Sequence, residues 1–509
     1  MAHHNYVQVR EKLKLLRSPV APERCNTEED DKDNHFIMDP EQETVESSCP
    51  DFQRYEEPTV LEIFYDLFFA ANYNVFSENQ DATDHARFKA YVGYFSLLWL
   101  TWFVTTAYDV RFLSDSIFER GARVLHLGVL VGFAIITPNF DPNNQEVTTM
   151  KATSLILMSS RAVLAIEYAV TLWQVRNFNK SCRRPFYVMI AANVVAMLIY
   201  LGISFRFTGH RNSRVYMAWY FVSGAEGVLT LVLSNLSPLL SFNKTHIMKR
   251  LFFLTIMMLG DGLVNIAKEV VVIVRNPHAW DALTIGQVTG GVATVYLIFL
   301  IYYDWLRGSF YLPKLRQQIW VFLHMPFHAA LVLFMQAFTQ YIIWSKAVDG
   351  ISKISGSFDN DNVVELANAT SADVSDLVQN VTERFFSDYA PKVAGTLDTV
   401  HMAVQNLTTI PNSFWPLAAA YAETANDTLF NGSSQEIREA LATFYECVDA
   451  VTTAMANNLF ANFGIDLKTN IKSNGSQGSG NITSTAFQNQ VSYTTWRQYR
   501  LAVSTYKHW

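Results

Sequence analysis

Charge is scarce in this sequence, and what there is comes bunched. Only 17% of the 509 residues are charged, against 50% hydrophobic and 14% aromatic, and most charges fall between long apolar runs. That pattern excludes an ordinary large soluble enzyme and argues for a polytopic membrane protein. Cysteine is scarce too. Cys25, Cys49, Cys182 and Cys447 stand far apart and make neither a zinc spacing nor a disulfide framework. No basic patch supports nucleic-acid binding. There is no phosphate loop, nucleotide fingerprint or Ser-His-Asp order, so no catalytic residue, cofactor or metal is expected. No signal peptide precedes the first apolar run. The net charge of -7 comes from one place, because residues 1–57 hold fourteen acids against seven bases. That tail contains EEDDKD from Glu28, lacks an apolar core, and reads as a disordered acidic domain.

After Pro58 come nine apolar runs long enough to be spans, at about 60–77, 90–110, 121–138, 150–174, 184–204, 215–234, 251–274, 286–306 and 318–344. The first is short and flanked by polar residues. The expected architecture is an all-α transmembrane bundle over 58–344. Loop charge gives its orientation. With the N-terminus in the cytosol, thirteen Lys and Arg fall in inner loops and six in short outer loops, with the 204–214 loop dissenting.

Residues 345–490 give a second indication. Asn368, Asn380, Asn406, Asn426, Asn431, Asn474 and Asn481 each open a glycosylation sequon, and such sites are used only on the lumenal or extracellular side. Nine spans from a cytosolic start place this segment there. Three more sequons, at Asn179, Asn235 and Asn243, fall in loops assigned to the cytosol. Apolar spacing within 345–490 predicts two to four amphipathic helices, followed by a flexible linker at SNGSQGSGN from Ser473. Residues 491–509 form an aromatic, basic stretch that looks like the approach to another membrane helix, so the natural chain is expected to continue past Trp509.

Ionisable groups inside apolar runs are the candidate functional residues, because each costs about 2.5–3.5 kcal/mol at the bilayer centre on translocon scales. They are Glu62 and Asp66 in the first run, Arg161 and Glu167 in the fourth, Glu226 in the sixth, Asp261 and Glu269 in the seventh, Asp304 at the end of the eighth, and His324 and His328 in the ninth. On the seventh run His246, Arg250, Asp261, Asn265 and Lys268 share one helix face, which lipid will not accept. Glu62, Asp66, Glu226, Asp261, Asp304 and His324 are expected to line a proton, ion or substrate path. Arg161, Glu167 and Arg250 are expected to form structural ion pairs. Glu226 lies among Gly224, Ala225 and Gly227, small residues that let a second helix approach. The HMPFH pair could present two imidazoles to one metal, but Pro326 between them and the lack of an HExxH pattern favour a proton relay or plain hydrogen bonds.

At these residues the sequence resembles the low temperature requirement A (LtrA) family of multi-pass membrane proteins, in its fungal-type form. The family's first motif is matched by Glu62 to Phe69, EIFYDLFF. Its second is matched at Trp99, Trp102, Tyr108 to Phe112 and Glu119-Arg120. The third is met by His246, Arg250, Leu259 and Gly260, and two short ones by Tyr302 to Asp304 and by His324 with Pro326. Lys249 and Asp261 stand where the family usually has Glu. The resemblance implies a helical membrane bundle and supplies no molecular activity. The expected role is transporter- or channel-like, moving a proton, ion or small solute. The alternatives are a non-transporting scaffold or sensor that binds through its glycosylated segment and, more weakly, an intramembrane enzyme. Expected partners are the bilayer and an unknown ion or solute, in the plasma membrane or secretory pathway, with an oligomer left open.

Overall fold

The structure is a computed structural model. It describes residues 13–21, 49–79, 85–207, 214–276, 280–306, 312–359, 366–393, 395–424, 428–431, 433–465, 492–493 and 495–496. Among these the protein is all-helical, with no strand beyond an isolated bridge between Val20 and Phe52. Nine long helices follow the nine apolar runs: α1 (Val60–Asn79), α2 (His85–Phe112), α3 (Ile117–Ile136), α4 (Val147–Gln174), α5 (Lys180–Ser204), α6 (Met217–Leu236), α7 (Ile247–Val274), α8 (Ala282–Leu306) and α9 (Lys314–Asp359). Most begin a turn before the apolar run, because polar residues fill the first turn.

Six stretches among the described residues are long and apolar enough to cross a membrane: Ile117–Asn139, Val147–Gln174, Lys180–Ser204, Arg214–Leu236, Ala282–Asp304 and Lys314–Ile354. With these spans the chain is a membrane protein. Helices α1, α2 and α7 have the length but are not among these stretches. Hydropathy alone therefore supports six of the nine expected crossings.

The chain divides into two compact units, Met1–Asp261 with Phe299–Phe334, and Gly262–Ile298 with Met335–Trp509. In the first, α4 packs along α5, α3 along α4, and α2 against α6. A Cβ on Gly227 of α6 would lie 3.1 Å from Leu100 of α2, so a small residue there serves close approach, as expected. Parts of the acidic tail belong to this unit. Phe118 and Ile117 donate backbone hydrogen bonds to Leu15 and Lys14, and Ser114 donates to the carbonyl of Arg17 at 2.9 Å. Phe52 is buried against Phe112 and Phe186. The acidic run from Glu28 lies outside the described residues.

Cys49 and Cys182 form a disulfide, which corrects the reading of the cysteines. A separation of 133 residues hid the pair; the segment that seats Phe52 brings Cys49 back to the first turn of α5. Both half-cystines lie where the charge bias places the cytosol, a compartment that keeps thiols reduced. Cys447 is a buried free thiol, and Cys25 lies outside the described residues.

Among its described residues the second unit holds five further helices: α10 (Ser371–Asp388), α11 (Thr396–Leu407), α12 (Phe414–Thr424), α13 (Thr428–Asn431) and α14 (Gln435–Asn462). Thr370 and Asp373 form a reciprocal capping box at the start of α10. Val400, Val404 and Ala454 form a small core, covered by Val378 and Phe386. Asn458 accepts from the backbone of Lys392 at 2.7 Å and donates to the carbonyl of Tyr389 at 2.8 Å, fixing the turn between α10 and α11. Asp281 caps α8 through the N–H of Thr284 at 2.8 Å and meets Lys346 at 2.7 Å. Asn368, Asn380 and Asn406 are exposed, whereas Asn426, Asn474, Asn481 and the side chain of Asn431 lie outside the described residues.

Candidate functional site: a buried charge network

The network starts at the first turn of α1. Thr59 precedes the helix, and Glu62 is its third residue. The backbone N–H and hydroxyl of Thr59 donate to Glu62 Oε2 at 2.7 and 2.9 Å, and Glu62 N–H donates back to Thr59 Oγ1 at 3.3 Å. This capping box occupies one carboxylate oxygen and aims the other across the bundle. Glu62 Oε1 meets His246 Nε2 at 2.8 Å and Arg250 Nη1 at 3.4 Å. One turn along, Asp66 accepts from Trp102 Nε1 at 2.7 Å and from Arg250 Nε at 3.1 Å, with a second contact from Arg250 Nη2. Arg250 also reaches Asp109 of α2 at 3.1 Å. A single guanidinium thus engages three carboxylates, and its planar fork suits that role as an ammonium would not.

The network continues into α3 and α4. Arg123 donates to Asp109 at 2.6 Å and lies over the ring of Tyr65. His126 meets Glu167 at 2.9 Å. The Tyr108 hydroxyl donates to Glu119 at 3.1 Å and lies 3.1 Å from the hydroxyl of Thr171. All these charged groups are buried. Burial away from bulk solvent makes every missing partner costly, which explains the dense pairing.

His246 carries specific information about a proton. Its Nδ1 lies 2.8 Å from the carbonyl of Tyr55, which can only accept, so that nitrogen holds a hydrogen. Its Nε2 faces Glu62. The contact needs one further proton, on the imidazole or on the carboxyl, and the two residues share it. The HMPFH histidines differ. His328 Nδ1 accepts from Trp99 at 3.1 Å, and its Nε2 lies 2.8 Å from Thr255 Oγ1, which itself donates to the carbonyl of Leu251. His324 Nδ1 lies 2.8 Å from the carbonyl of Trp320, and its Nε2 lies 2.7 Å from the Tyr302 hydroxyl. All four nitrogens are thus engaged by groups of the protein itself.

The other candidates lie apart. Arg161 Nε contacts both oxygens of Glu226 at 2.9 Å, with Tyr200 donating to Glu226 at 3.3 Å. The expected ion pair of Arg161 therefore uses Glu226, a residue expected on the path, while Glu167 serves His126. A crevice lined in part by Tyr168, Asn193 and Glu226 has room for about one water molecule. Asp304 is exposed, and Glu269 is half-buried. Asp261 is half-buried on α7, eleven residues beyond Arg250 and hence about 16 Å further along the axis. Arg250 and His246, rather than Asp261, meet the Glu62/Asp66 pair. Asp261 Oδ2 is buried and has no hydrogen-bond partner among the described residues.

Asp109, Glu119, Arg123 and His126 were not among the sequence candidates. They sit where apolar runs end, and charge there reads as loop charge. A visible signal was the 119, 123, 126 spacing, which places three ionisable groups on one face of α3.

The family model described as bacterial low temperature requirement A protein matches residues 58–351. The chain belongs to the LtrA family. Neither curated proteins nor solved structures give a match. Within this LtrA protein, the residues that carry the resemblance are largely those that meet in the network. Glu62 and Asp66 come from the first motif, Asp109 and Glu119 from the second, and His246 and Arg250 from the third.

Proposed function

We propose that this LtrA protein is transporter- or channel-like, with Asp261 as the group that exchanges a proton or cation and the arginine-centred network as its fixed frame. The carrying observation is the contrast in partners. Glu62, Asp66, Asp109, Glu167 and Glu226 are each held by a base, whereas the buried oxygen of Asp261 has no hydrogen-bond partner among the described residues. Asp261 also stands at the midpoint of α7, where intramembrane acids typically serve ion or proton binding. On this reading Glu62, Asp66 and Glu226 position helices, and His324 orients Tyr302. Asp261→Asn keeps the shape and removes the exchangeable proton. Reconstituted wild-type protein is expected to show proton- or ion-coupled flux that the variant lacks. Equal flux in both overturns the assignment. No flux in either favours the scaffold or sensor reading, which the tight pairing of Glu62 and Asp66 also supports.

The same proposal places residues 345–490 on the non-cytosolic side, glycosylated, after nine crossings from a cytosolic N-terminus. The sequon cluster and the exposure of Asn368, Asn380 and Asn406 support it. The Cys49–Cys182 disulfide favours a second topology with six crossings, which would put both ends outside. Glycosidase treatment of protein made in a eukaryotic host is expected to collapse a glycan smear; lack of glycan overturns both topologies. Membrane-impermeant thiol labelling after reduction separates them, because the exposed Cys49 is reached from outside only in the second.

A further inference from the structure

We propose that Arg111, at the end of α2, holds a small inorganic anion of halide size. Its side chain is buried in the first unit, yet none of its three guanidinium nitrogens has a hydrogen-bond partner among the described residues. The other buried arginines differ. Arg123, Arg161 and Arg250 each meet a carboxylate oxygen, at 2.6, 2.9 and 3.1 Å. Asp109 and Glu167, the acids in neighbouring turns, are taken by Arg123 with Arg250 and by His126.

A second group points the same way. The Tyr168 hydroxyl lies beside Arg111, close enough for a weak contact with the guanidinium but outside good hydrogen-bond geometry, and it is buried with no other partner among the described residues. The positive field there is reinforced. Arg54 lies close enough to repel Arg111 electrostatically, although Asp51 offsets part of its charge, and its own guanidinium is fixed by the carbonyls of Asn243 and Pro238. One face of the Arg111 guanidinium rests on the Phe242 ring, 4.2 Å from its centroid. That stacking leaves the N–H edge as the coordinating side.

A water molecule could fill the hydrogen bonds but would leave a buried cation uncompensated. An anion accepts from Arg111 and Tyr168 together and cancels the charge. Arg111 is fully buried and stacked on Phe242, so an occupant must shed its water shell, which a halide does more readily than a multiply charged oxyanion. That favours chloride or bromide over a phosphate.

The test uses the full chain, purified in detergent with gluconate as the sole anion, its melting followed at constant ionic strength. Added chloride or bromide is expected to raise the wild-type melting temperature saturably, by about 3–6 °C. Arg111→Met is expected to lose this response and to melt higher than wild type in gluconate, because it removes the unpaired cation. Tyr168→Phe, a milder change, is expected to raise the half-saturating chloride concentration about fivefold to tenfold. Arg120→Gln, at an exposed pair with Asp115, should respond as wild type. A wild-type melting point indifferent to halide overturns the proposal. So does a halide response that survives in both Arg111→Met and Tyr168→Phe, or stabilisation by inorganic phosphate and not by halide.

Discussion

The two units bury polar groups in different ways. In the first, buried carboxylates, guanidinium groups and imidazoles tie α1, α2, α3, α4 and α7 together. In the second, between residues 366 and 465, every buried polar side chain among the described residues is a hydroxyl or an amide: Ser371, Ser375, Thr382, Thr396, Thr399, Thr453, Asn457, Asn458 and Asn462. Both are helical and both have apolar cores, so the difference is not one of fold. An amide such as Asn458 serves donor and acceptor at once and stays neutral. A buried charge is tolerable only as part of a set, and the set then fixes several helices relative to one another. Neutral locks suit a helical segment whose charges can face water. Charge networks suit a bundle whose outer surface cannot carry them.

The comparison breaks most sharply at Arg250. Arg250→Met leaves Glu62, Asp66 and Asp109 without their shared cation, and removing one partner of a buried pair costs roughly 3–5 kcal/mol. Loss of folded protein, or a melting point lowered by about 10 °C or more in detergent, is expected. Arg250→Lys should fall well short of rescue, because a point charge cannot serve three carboxylates. A melting point within a degree or two of wild type would mean that the carboxylates are neutral in the folded state.

Arg161 provides a smaller and separable break. Arg161→Leu strands Glu226, which is partly accessible, and should cost about 2–4 kcal/mol. Adding Glu226→Met in the same chain removes the stranded charge and should recover most of the loss, since apolar replacement of a whole buried pair is often neutral or stabilising. If the double variant is as unstable as the single one, the cost lies in packing against Tyr200 rather than in charge.

Much of the fold was legible because lipid-compatible helices announce themselves by length and hydropathy, and all nine long helices lie on the nine apolar runs. Glu62, Asp66, Arg161 and Arg250 stood out for the same reason, since each interrupts an apolar run. The partners were harder to see. Arg111 and Arg123, read as loop charge, are buried, as is Arg250, so three of the thirteen bases behind the inner-loop bias pack inside the bundle. Pairing across 141 residues, as between Arg250 and Asp109, leaves no local pattern. Neither does a disulfide spanning 133 residues. The T-x-x-E box at Thr59 was legible, and it would have shown that one oxygen of Glu62 is committed to the helix start.

The smallest effect expected is at an ion pair of the second unit that joins a buried base to a more exposed acid, and pH reads it out. Lys346 is buried, while Asp281 is exposed at the start of α8. The hydrogen bond from Lys346, followed by those from Thr284, holds the Asp281 carboxyl well below the usual carboxylate range. A lowered folded-state pKa means that the pair stabilises the protein above the ordinary aspartate value, near pH 4, and that this contribution is lost as pH falls through the lower folded value. Asp281→Asn keeps a cap for Thr284 and removes the charge. The melting-point difference between wild type and Asp281→Asn is therefore expected to be constant from pH 8 to about pH 5 and to shrink below about pH 4. Exposure and salt screening keep it small, and raising the ionic strength should reduce it further. A difference that grows as pH falls would reverse the sign and would mean that Lys346 is held by something other than the Asp281 carboxylate.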